Sequence, residues 1–213
     1  MTNVTAAPEQ STSAVDEELW QGVRPEAARR LLVSALDLFA GQGFHGTTTR
    51  DIAARAGMSP AALYVHYRTK EDLLYQISWI AHEAALAAVP AGSSGSGDPV
   101  VQLQVAVAAF TAWHAHHHTA ARVAQYELAA LEPAHFRAIA TVRQTIERSF
   151  RQMIERGVTA GEFEVSDVPA TALAVLSLAI DVARWYQPGS RHSPEELGEL
   201  YAALALRMVR PGG

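Results

Sequence analysis

The sequence predicts an all-α protein of about nine helices, with a small N-terminal domain followed by a larger helical domain. Apolar residues recur three and four positions apart in segment after segment, whereas the strict alternation of a half-buried strand is almost absent. Clusters of glycine, proline and serine interrupt these segments where helix ends are expected. A hydrophobic share of 49% and a charged share of 18% are typical of a folded protein with a sizeable core.

The first helix is expected to begin at Pro25, because proline is favoured in the first helical position, where its missing N–H costs no hydrogen bond. The apolar stripe of this helix runs from Ala28 to Phe39. Gly41 and Gly43 are expected to end the helix.

Two short helices follow, joined by a tight turn. Thr48 is suited to cap the first, and Asp51 completes a capping box with aspartate in place of the usual glutamate. Gly57 comes where that helix must end, because glycine adopts a positive φ without steric cost. Ser59 and Pro60 then restart a helix as its N-cap and its first residue. This is the layout of a helix-turn-helix, which places its second helix in the DNA major groove.

The second of these helices, residues 60–66, carries side chains suited to DNA. Small residues at its start would let the backbone approach base edges, and Tyr64 and His66 are suited to bind phosphates. Lys70 is the only lysine of the chain, and a flexible ammonium beside a helix start is a good phosphate contact. A plain helical hairpin is the alternative, but the combination of caps, glycine and proline favours DNA binding.

The letters FAGQGFHGTTTRDIAARAGMSPAALYVHYRTKEDLL belong to a stretch, from about Arg24 to Leu74, that resembles the N-terminal domain of the tetracycline-repressor (TetR) family of one-component regulators. The resemblance implies a three-helix DNA-binding domain with contacts from both helices of the motif. Val65 stands where the family often has an aromatic residue. The implied contacts are Thr48, Thr49, Arg50, Ser59, Pro60, Ala61, Ala62, Tyr64, Val65, His66 and Lys70.

Specificity is expected to depend on few base contacts. Ala61 and Ala62 can offer only methyl groups, for instance to thymine. Arg50 and the shape of the DNA are therefore expected to carry much of the specificity.

Charge is unevenly distributed along the chain, whose formal net charge is −5. The segment from Trp20 to Asp72 carries seven cations against five acids, about +2, which leaves about −7 for the remainder. DNA binding requires such a local cationic surface rather than a protein that is basic throughout.

The absence of cysteine excludes disulfides, thiolate metal sites and cysteine nucleophiles, and it fits a reducing, cytoplasmic location. Residues 1–19 lack an apolar segment behind a basic start, so a disordered tail is expected rather than a signal peptide. Domains are expected over residues 20–72 and 73–213. No apolar run is expected to approach the length of a membrane span, about eighteen residues, so no membrane partner is expected.

The second part of the chain is expected to follow a long helix, Glu71–Val89, and a loop over residues 90–99. The last two helices are apolar nearly all round and need cover on every side. We expect a homodimer built on these two helices, as the TetR resemblance also implies, and its two-fold symmetry would match a palindromic operator. The further predicted helices are Val100–His118, Ala120–Leu131, Pro133–Arg156, Val168–Tyr186 and Pro194–Val209.

The second domain is expected to hold a small-molecule effector among its helices, since aromatic and isolated polar residues punctuate otherwise apolar segments. Each aromatic residue could instead belong to the core, and Asp181 and Arg184 could pair with each other. The candidate ligand contacts are Trp79, His82, Phe110, Trp113, His117, Tyr126, Glu127, Asp181, Arg184 and Trp185.

The stretch from Arg184 to Gly189, with the helix after it, is similar to an actinobacterial branch of the TetR family. This resemblance implies an acyl-coenzyme A (acyl-CoA) thioester of steroid-ring or fatty-acid breakdown as effector. Arginines would bind its phosphates, and those available are Arg122, Arg137, Arg184 and Arg191. The expected function is a repressor that leaves DNA when such an effector shifts the helix after the motif.

A histidine cluster supports a second hypothesis, a metal-responsive regulator. His114 and His118 have the i, i+4 spacing that binds zinc or nickel on a helix, and His117 shares their face. The alternative is a solvated helix end at which histidines oppose the helix dipole. No cofactor is expected. No enzymatic activity is expected either, because the chain has no nucleophile elbow, phosphate loop or HExxH zinc motif.

Overall fold

The computed structural model describes residues 18–89 and 97–209, which contain nine α-helices and no β-strand. A short 3₁₀ turn, Leu128–Ala130, follows the sixth helix. The expected all-α fold is therefore confirmed. The helices are α1 (Glu26–Gly46), α2 (Thr49–Arg55), α3 (Pro60–His66), α4 (Lys70–Ala88), α5 (Pro99–His116), α6 (His118–Tyr126), α7 (Pro133–Thr159), α8 (Val168–Trp185) and α9 (Pro194–Val209).

Several helix boundaries differ from the predictions; the predicted helix Ala120–Leu131, for instance, is observed as His118–Tyr126 followed by the 3₁₀ turn. Two of the differences have a clear cause in the backbone. The helical path of α1 breaks at Gly43, whose φ of 76° and ψ of 164° are not helical, and a further turn then runs to Gly46. The predicted helix Val100–His118 ends earlier, because His117 has a φ of −102° and a ψ of 35°. The chain changes direction at His117, and α6 starts immediately after it.

The two larger hydrophobic cores share two helices, α4 and α7. The first core joins α1, α2 and α3 to α6 and α7, and Leu63 and Val123 are buried within it. The second core lies among α5, α7, α8 and α9, around the fully buried ring of Phe150. α4 takes part in both, since Ile77 is buried in the first core and Ala85 in the second. The first core therefore continues beyond residue 72, into the second half of the chain.

α5 and α9 pack closely at one glycine. A Cβ added to Gly198 would lie 2.5 Å from the carbonyl oxygen of Ala108, closer than real Cβ contacts come. The contacted oxygen belongs to the helix backbone of α5, which cannot move aside as the end of a flexible side chain can. Glycine is therefore needed here for the two helices to approach each other.

The outer faces of α8 and α9 carry exposed apolar side chains, among them Leu178, Leu200, Leu204 and Met208. α8 is also long and apolar enough to cross a membrane, with 18 residues of mean hydropathy 1.4 and a third of them buried. The expectation that no apolar run approaches that length was therefore wrong for α8. A single helix of this kind is weak evidence of a span, because core helices of soluble proteins pass the same test.

The expected disordered tail falls mostly on residues 1–17, which lie outside the described part of the chain, as do residues 90–96 of the expected loop. The end of that tail is packed. Leu19 lies against the first core, and Trp20 is fully buried.

Candidate functional site

α2 begins with the capping box that its sequence predicts. Thr48 Oγ1 accepts a hydrogen bond from the N–H of Asp51 (3.2 Å), and the N–H of Thr48 donates to the Asp51 carboxylate (3.0 Å). The hydrogen bond from the Thr48 side chain is the main cause that holds the pKa of the Asp51 carboxyl below its ordinary value, and the hydrogen bond from the Thr48 backbone N–H is the second. Thr69 and Asp72 repeat the arrangement at the start of α4, with distances of 2.9 and 3.0 Å. Side chains of the local sequence therefore fix both helix starts.

The turn between α2 and α3 depends on Gly57, whose φ of 67° lies in the left-handed region. The turn is closed by the N–H of Met58, which donates to the carbonyl oxygen of Ala53 (2.8 Å). From α1, the Arg30 guanidinium donates to the carbonyl oxygen of Ala56. The crossing of α2 and α3 is therefore set by the small buried side chain of Ala53 and by the bond from Arg30 to the last turn of α2.

α3 is held on its inner side. Ser59 accepts a hydrogen bond from the N–H of Ala62 (3.2 Å), which confirms the predicted N-cap. Leu63 is fully buried, and the Tyr67 hydroxyl donates to the carbonyl oxygen of Ala28 (3.1 Å). Burial raises the pKa of Tyr67 to about 12, so this hydroxyl remains a donor at neutral pH.

The outer side of α3 is open to solvent. Tyr64 is 54% exposed and Val65 is 79% exposed. The Tyr64 hydroxyl lies 3.1 Å from Thr49 Oγ1, which places the start of α2 beside the middle of α3. Arg50 and Ala61 are exposed, and Arg50 makes no hydrogen bond to the described residues. The predicted DNA contacts of the two helices therefore lie next to each other.

Lys70 has partners within the chain that its sequence position did not indicate. Its ammonium donates to the carbonyl oxygens of Phe44 (2.6 Å) and Thr47 (2.7 Å), and it lies 4.1 Å from the centre of the Phe44 ring. Burial lowers the pKa of Lys70, and the negative charge of Glu127 opposes that effect. In this structure the ammonium group that was expected to contact phosphate therefore binds backbone carbonyl oxygens at the end of α1.

The five acids between Trp20 and Asp72 are all engaged internally. Asp51 and Asp72 cap helices, as described above. Asp37 accepts from Arg55 (2.8 Å), Glu26 from Arg29 (2.8 Å), and Glu71 lies 2.9 Å from His135 Nδ1. The cations Arg50 and Arg68 are exposed and have no such ion pair within residues 18–89 and 97–209. This arrangement leaves uncompensated positive charge on the surface beside α3.

A cavity of about 410 Å³ opens among α4, α5, α6, α7 and α8. Its walls are largely apolar, with Phe110, Trp113 and Leu176 among them. It lies at the smaller end of the range of ligand pockets, roughly 300 to 1,000 Å³. A drug-sized apolar molecule would fit within it.

Two histidines face this cavity, His114 buried and His82 half-buried. His82 Nδ1 lies 2.7 Å from the carbonyl oxygen of Ser78, and His114 Nδ1 lies 2.8 Å from that of Phe110. Because a carbonyl oxygen only accepts, Nδ1 carries the proton and Nε2 is left as an acceptor. Burial lowers the pKa of both rings to about 4, so both are neutral at physiological pH.

The cavity gathers only half of the predicted ligand contacts. His82, Phe110, Trp113, Tyr126 and Asp181 line it. The other predicted contacts are outside its lining. They are Trp79, His117, Glu127, Arg184 and Trp185.

Arg184 and Glu127 have other partners. Asp181 Oδ1 accepts from Arg184 Nε (2.7 Å), which is the pairing that the sequence left open. This hydrogen bond to Arg184 lowers the pKa of Asp181. Glu127 Oε1 accepts from the N–H of Phe44 (3.3 Å), 83 residues away in sequence. Because Tyr126 lines the cavity, adjacent residues connect the cavity to the end of α1.

Five polar lining residues were not anticipated, namely Gln125, Arg143, Gln144, Glu147 and Ser177. Arg143 Nη1 donates to Gln125 Oε1 (2.6 Å), and burial lowers the pKa of Arg143. On an amphipathic helix such as α7 these residues look like part of the solvated face. Only the arrangement of α6 and α7 with α4, α5 and α8 around one space shows that they face a cavity.

The metal hypothesis is not supported. A break at His117 separates His114 from His118, so the two are not on one continuous helix. His114 is buried against Phe110, while His118 Nδ1 lies 3.1 Å from the Ala115 carbonyl oxygen. Among the residues that the structure describes, the one cluster with ligand atoms close enough for a metal is Glu71, Asp72 and His135. That cluster does not include the predicted histidines.

Comparison with known proteins agrees with this geometry. Residues 31–77 match the family model for bacterial regulatory proteins of the tetR family, and residues 96–209 match that of a Tetracyclin repressor-like C-terminal domain. A crystal structure of a tetR-family regulatory protein from Rhodococcus RHA1 is 43% identical, with a TM-score of 0.83, over 89% of this chain and all of that chain.

Two other relatives are more distant. The transcriptional repressor KstR2 of Mycobacterium tuberculosis is 27% identical over 86% of this chain and 92% of its own length. AibR, solved in complex with isovaleryl coenzyme A and operator DNA, is 21% identical with a TM-score of 0.74, and covers 88% of this chain and all of its own. At that identity AibR supports the fold alone.

The C-terminal family model alone covers more than half of the chain, and the N-terminal model covers the helix-turn-helix described above. This chain therefore belongs to the TetR family of bacterial regulatory proteins.

Proposed function

We propose that this TetR-family DNA-binding protein is a cytoplasmic repressor that leaves a palindromic operator when a small molecule occupies its cavity. The observation that carries the proposal is the contact from Glu127 to the end of α1, one residue from the cavity wall. That contact gives the ligand a direct route to the DNA-binding helices. The name of the relative KstR2 supports repression rather than activation.

The start of α2 and the outer side of α3 form the proposed DNA surface. Arg50 is exposed for a base or phosphate, and Tyr64 is oriented by Thr49 for a phosphate. Val65 and Ala61 supply apolar surface rather than hydrogen bonds. This composition favours reading by shape and by the spacing of two copies of α3.

The two copies are joined, in this proposal, through α8 and α9. Leu178, Leu200, Leu204 and Met208 are each 39% to 44% exposed on the outer faces of these helices. Contiguous exposed apolar side chains of this kind mark an interaction surface. A second copy of the same surface would cover them and place the recognition helices on one face of the dimer.

The proposed effector is an apolar molecule, and an acyl-CoA thioester is our first candidate. The cavity volume of about 410 Å³ accommodates the acyl part and leaves the nucleotide outside. The complex of AibR with isovaleryl coenzyme A shows that a protein of this fold binds such a thioester.

The test starts from DNA fragments selected by the protein from a random pool. We expect a palindromic consensus and, by light scattering, the mass of a dimer. Long-chain, ring-bearing and isovaleryl thioesters are then added to the protein–DNA complex, with coenzyme A alone as the control. Release by a thioester but not by coenzyme A is expected. Retention of the DNA with every thioester would contradict the thioester assignment, and a monomer bound to a non-palindromic site would contradict the dimer.

A further inference from the structure

One cation in the cavity has no carboxylate partner among the described residues. Arg143, on α7, is half-buried, and its one hydrogen bond goes to the neutral side-chain oxygen of Gln125. A guanidinium has five N–H donors, so most of them remain available. Removing a cation from water is costly unless an opposite charge or further hydrogen bonds compensate.

The two acids of the cavity wall do not compensate Arg143. Glu147 lies 3.8 Å from Arg151 on the same helix, and Asp181 accepts two hydrogen bonds from Arg184. Both acids are therefore oriented toward arginines that are not part of the lining. Arg143 is left as the only cation that lines the cavity in the described part of the chain.

The neighbouring histidines add no positive charge. His82 and His114 approach from α4 and α5, close enough that the charge of Arg143 contributes to their lowered pKa values, after burial as the largest cause. In the neutral form their Nε2 atoms accept hydrogen bonds rather than donate them. An anion in the cavity would therefore bind Arg143 and not the imidazoles.

We propose that Arg143 forms an anion subsite that binds the carboxylate of an apolar acid, whose body packs against Phe110, Trp113 and Leu176. A carboxylate can accept two parallel hydrogen bonds from a guanidinium, which fixes the orientation of the ligand as well as its charge. The inference rests on the proposed function only in taking this cavity as the effector site. The thioester group itself has no carboxylate, so the ligand of this subsite is a free acid or a thioester whose acyl part carries a second carboxyl group.

The test compares two ligands of equal shape, 1-naphthoate and 1-naphthamide, by isothermal titration calorimetry at pH 7.5. We expect the acid to bind the wild-type protein at least about tenfold more tightly, as charge-assisted hydrogen bonds imply. Arg143→Gln should reduce that preference to about twofold or less, while Arg143→Lys should keep part of it. Arg148→Gln, on the exposed side of the same helix and outside the cavity lining, is the control and should leave the preference unchanged.

Each outcome is decisive. Equal affinity for acid and amide in the wild-type protein, or no binding of either, overturns the subsite, as does an acid preference that survives Arg143→Gln. Circular dichroism shows whether each variant is folded. If Arg143→Gln does not fold, the reduced acid preference of Arg143→Lys still tests the subsite. Operator release is measured separately. An acid that binds through Arg143 without releasing DNA leaves the subsite standing and contradicts the role of the cavity in the proposed function.

Discussion

The DNA-binding motif and the cavity are built in opposite ways. Each helix start in the motif is closed by side chains three residues apart, as with Thr48 and Asp51. The cavity is lined by five helices, with residues from Ala81 to Asp181, and Arg143 and two histidines retain unused hydrogen-bonding capacity. The motif is thus complete in itself, whereas the cavity has room and unused polar groups for the proposed ligand. In the proposed function, the free energy of ligand binding must therefore originate in the cavity and reach the motif through the few contacts between them.

The largest expected effect concerns the cavity histidines. Burial holds the pKa of His82 and of His114 at about 4, against an ordinary value of 6.5. The unfolded chain binds these protons at higher pH than the folded protein does, so stability is fully present above about pH 6.5 and decreases as the pH falls toward 4. The loss is at most about 3 kcal/mol for each histidine.

Urea denaturation at pH 7.5, 6.0 and 5.0 measures this effect. His82→Gln and His114→Gln should each flatten the pH dependence of the unfolding free energy. His45→Gln, exposed near the end of α1, is the matched control from the motif side and should not. Equal slopes in all four proteins would contradict the assignment of the pH dependence to the cavity.

The next effect compares two glycines. Gly198→Ala should destabilise the protein by about 1–3 kcal/mol, because the new Cβ would meet the α5 backbone at Ala108. Gly41→Ala, in α1 with open space around it, should stabilise the protein by about 0.5–1 kcal/mol. Thermal denaturation of both variants measures the difference. A neutral Gly198→Ala would show that the α5–α9 packing behind the cavity is looser than described.

A smaller effect is expected in the motif. Tyr64→Ala should weaken operator binding about tenfold and reduce its salt dependence by about one phosphate contact, for all sequences alike. Tyr64→Phe isolates the hydroxyl that lies beside Thr49. Fluorescence anisotropy at several salt concentrations measures both, and calorimetry should show unchanged affinity for the effector. An altered effector affinity would mean that the two regions are not as separate as the structure indicates.

The smallest effect tests the connection between the regions. Glu127→Gln keeps the hydrogen bond to Phe44 possible but removes the charge near Lys70. We expect operator affinity and effector affinity to stay within about twofold of wild type, while their coupling decreases by about 1 kcal/mol, roughly fivefold. Titrating effector into the protein–operator complex measures the coupling. If the variant kept full coupling, the effect of the effector on DNA binding would have to pass through other contacts, for instance along α4 alone.

The motif was predictable because its signals are local. Thr48 with Asp51, Gly57 and Ser59 each fix a conformation within a few residues, and the structure shows all of them as expected. Lys70 was less predictable. A cation at a helix start suits phosphate, but here its ammonium closes the end of α1, which depends on the position of Phe44.

The cavity was predictable only in part, because its lining comes from segments distant in sequence. Phe110 and Trp113 were expected from their aromatic character, whereas Arg143 and Gln125 look like surface residues of amphipathic helices. Glu127 was expected to face a ligand, yet its partner is the N–H of Phe44, 83 residues away. Helical spacing alone does not give such pairings.

The two cores that share α4 have a consequence for how such regulators diversify. Val123 and Ile139 complete the first core although they lie far beyond the DNA-binding motif. If recombination moved residues 18–72 into another regulator, their side of the first core would have to pack against the different side chains of that protein. Evolution can therefore exchange the operator specificity of this protein most easily by point substitution on the outer side of α3. In the proposed function, the ligand preference can change at the far end of α4, where Ala85 lines the cavity and belongs to the second core.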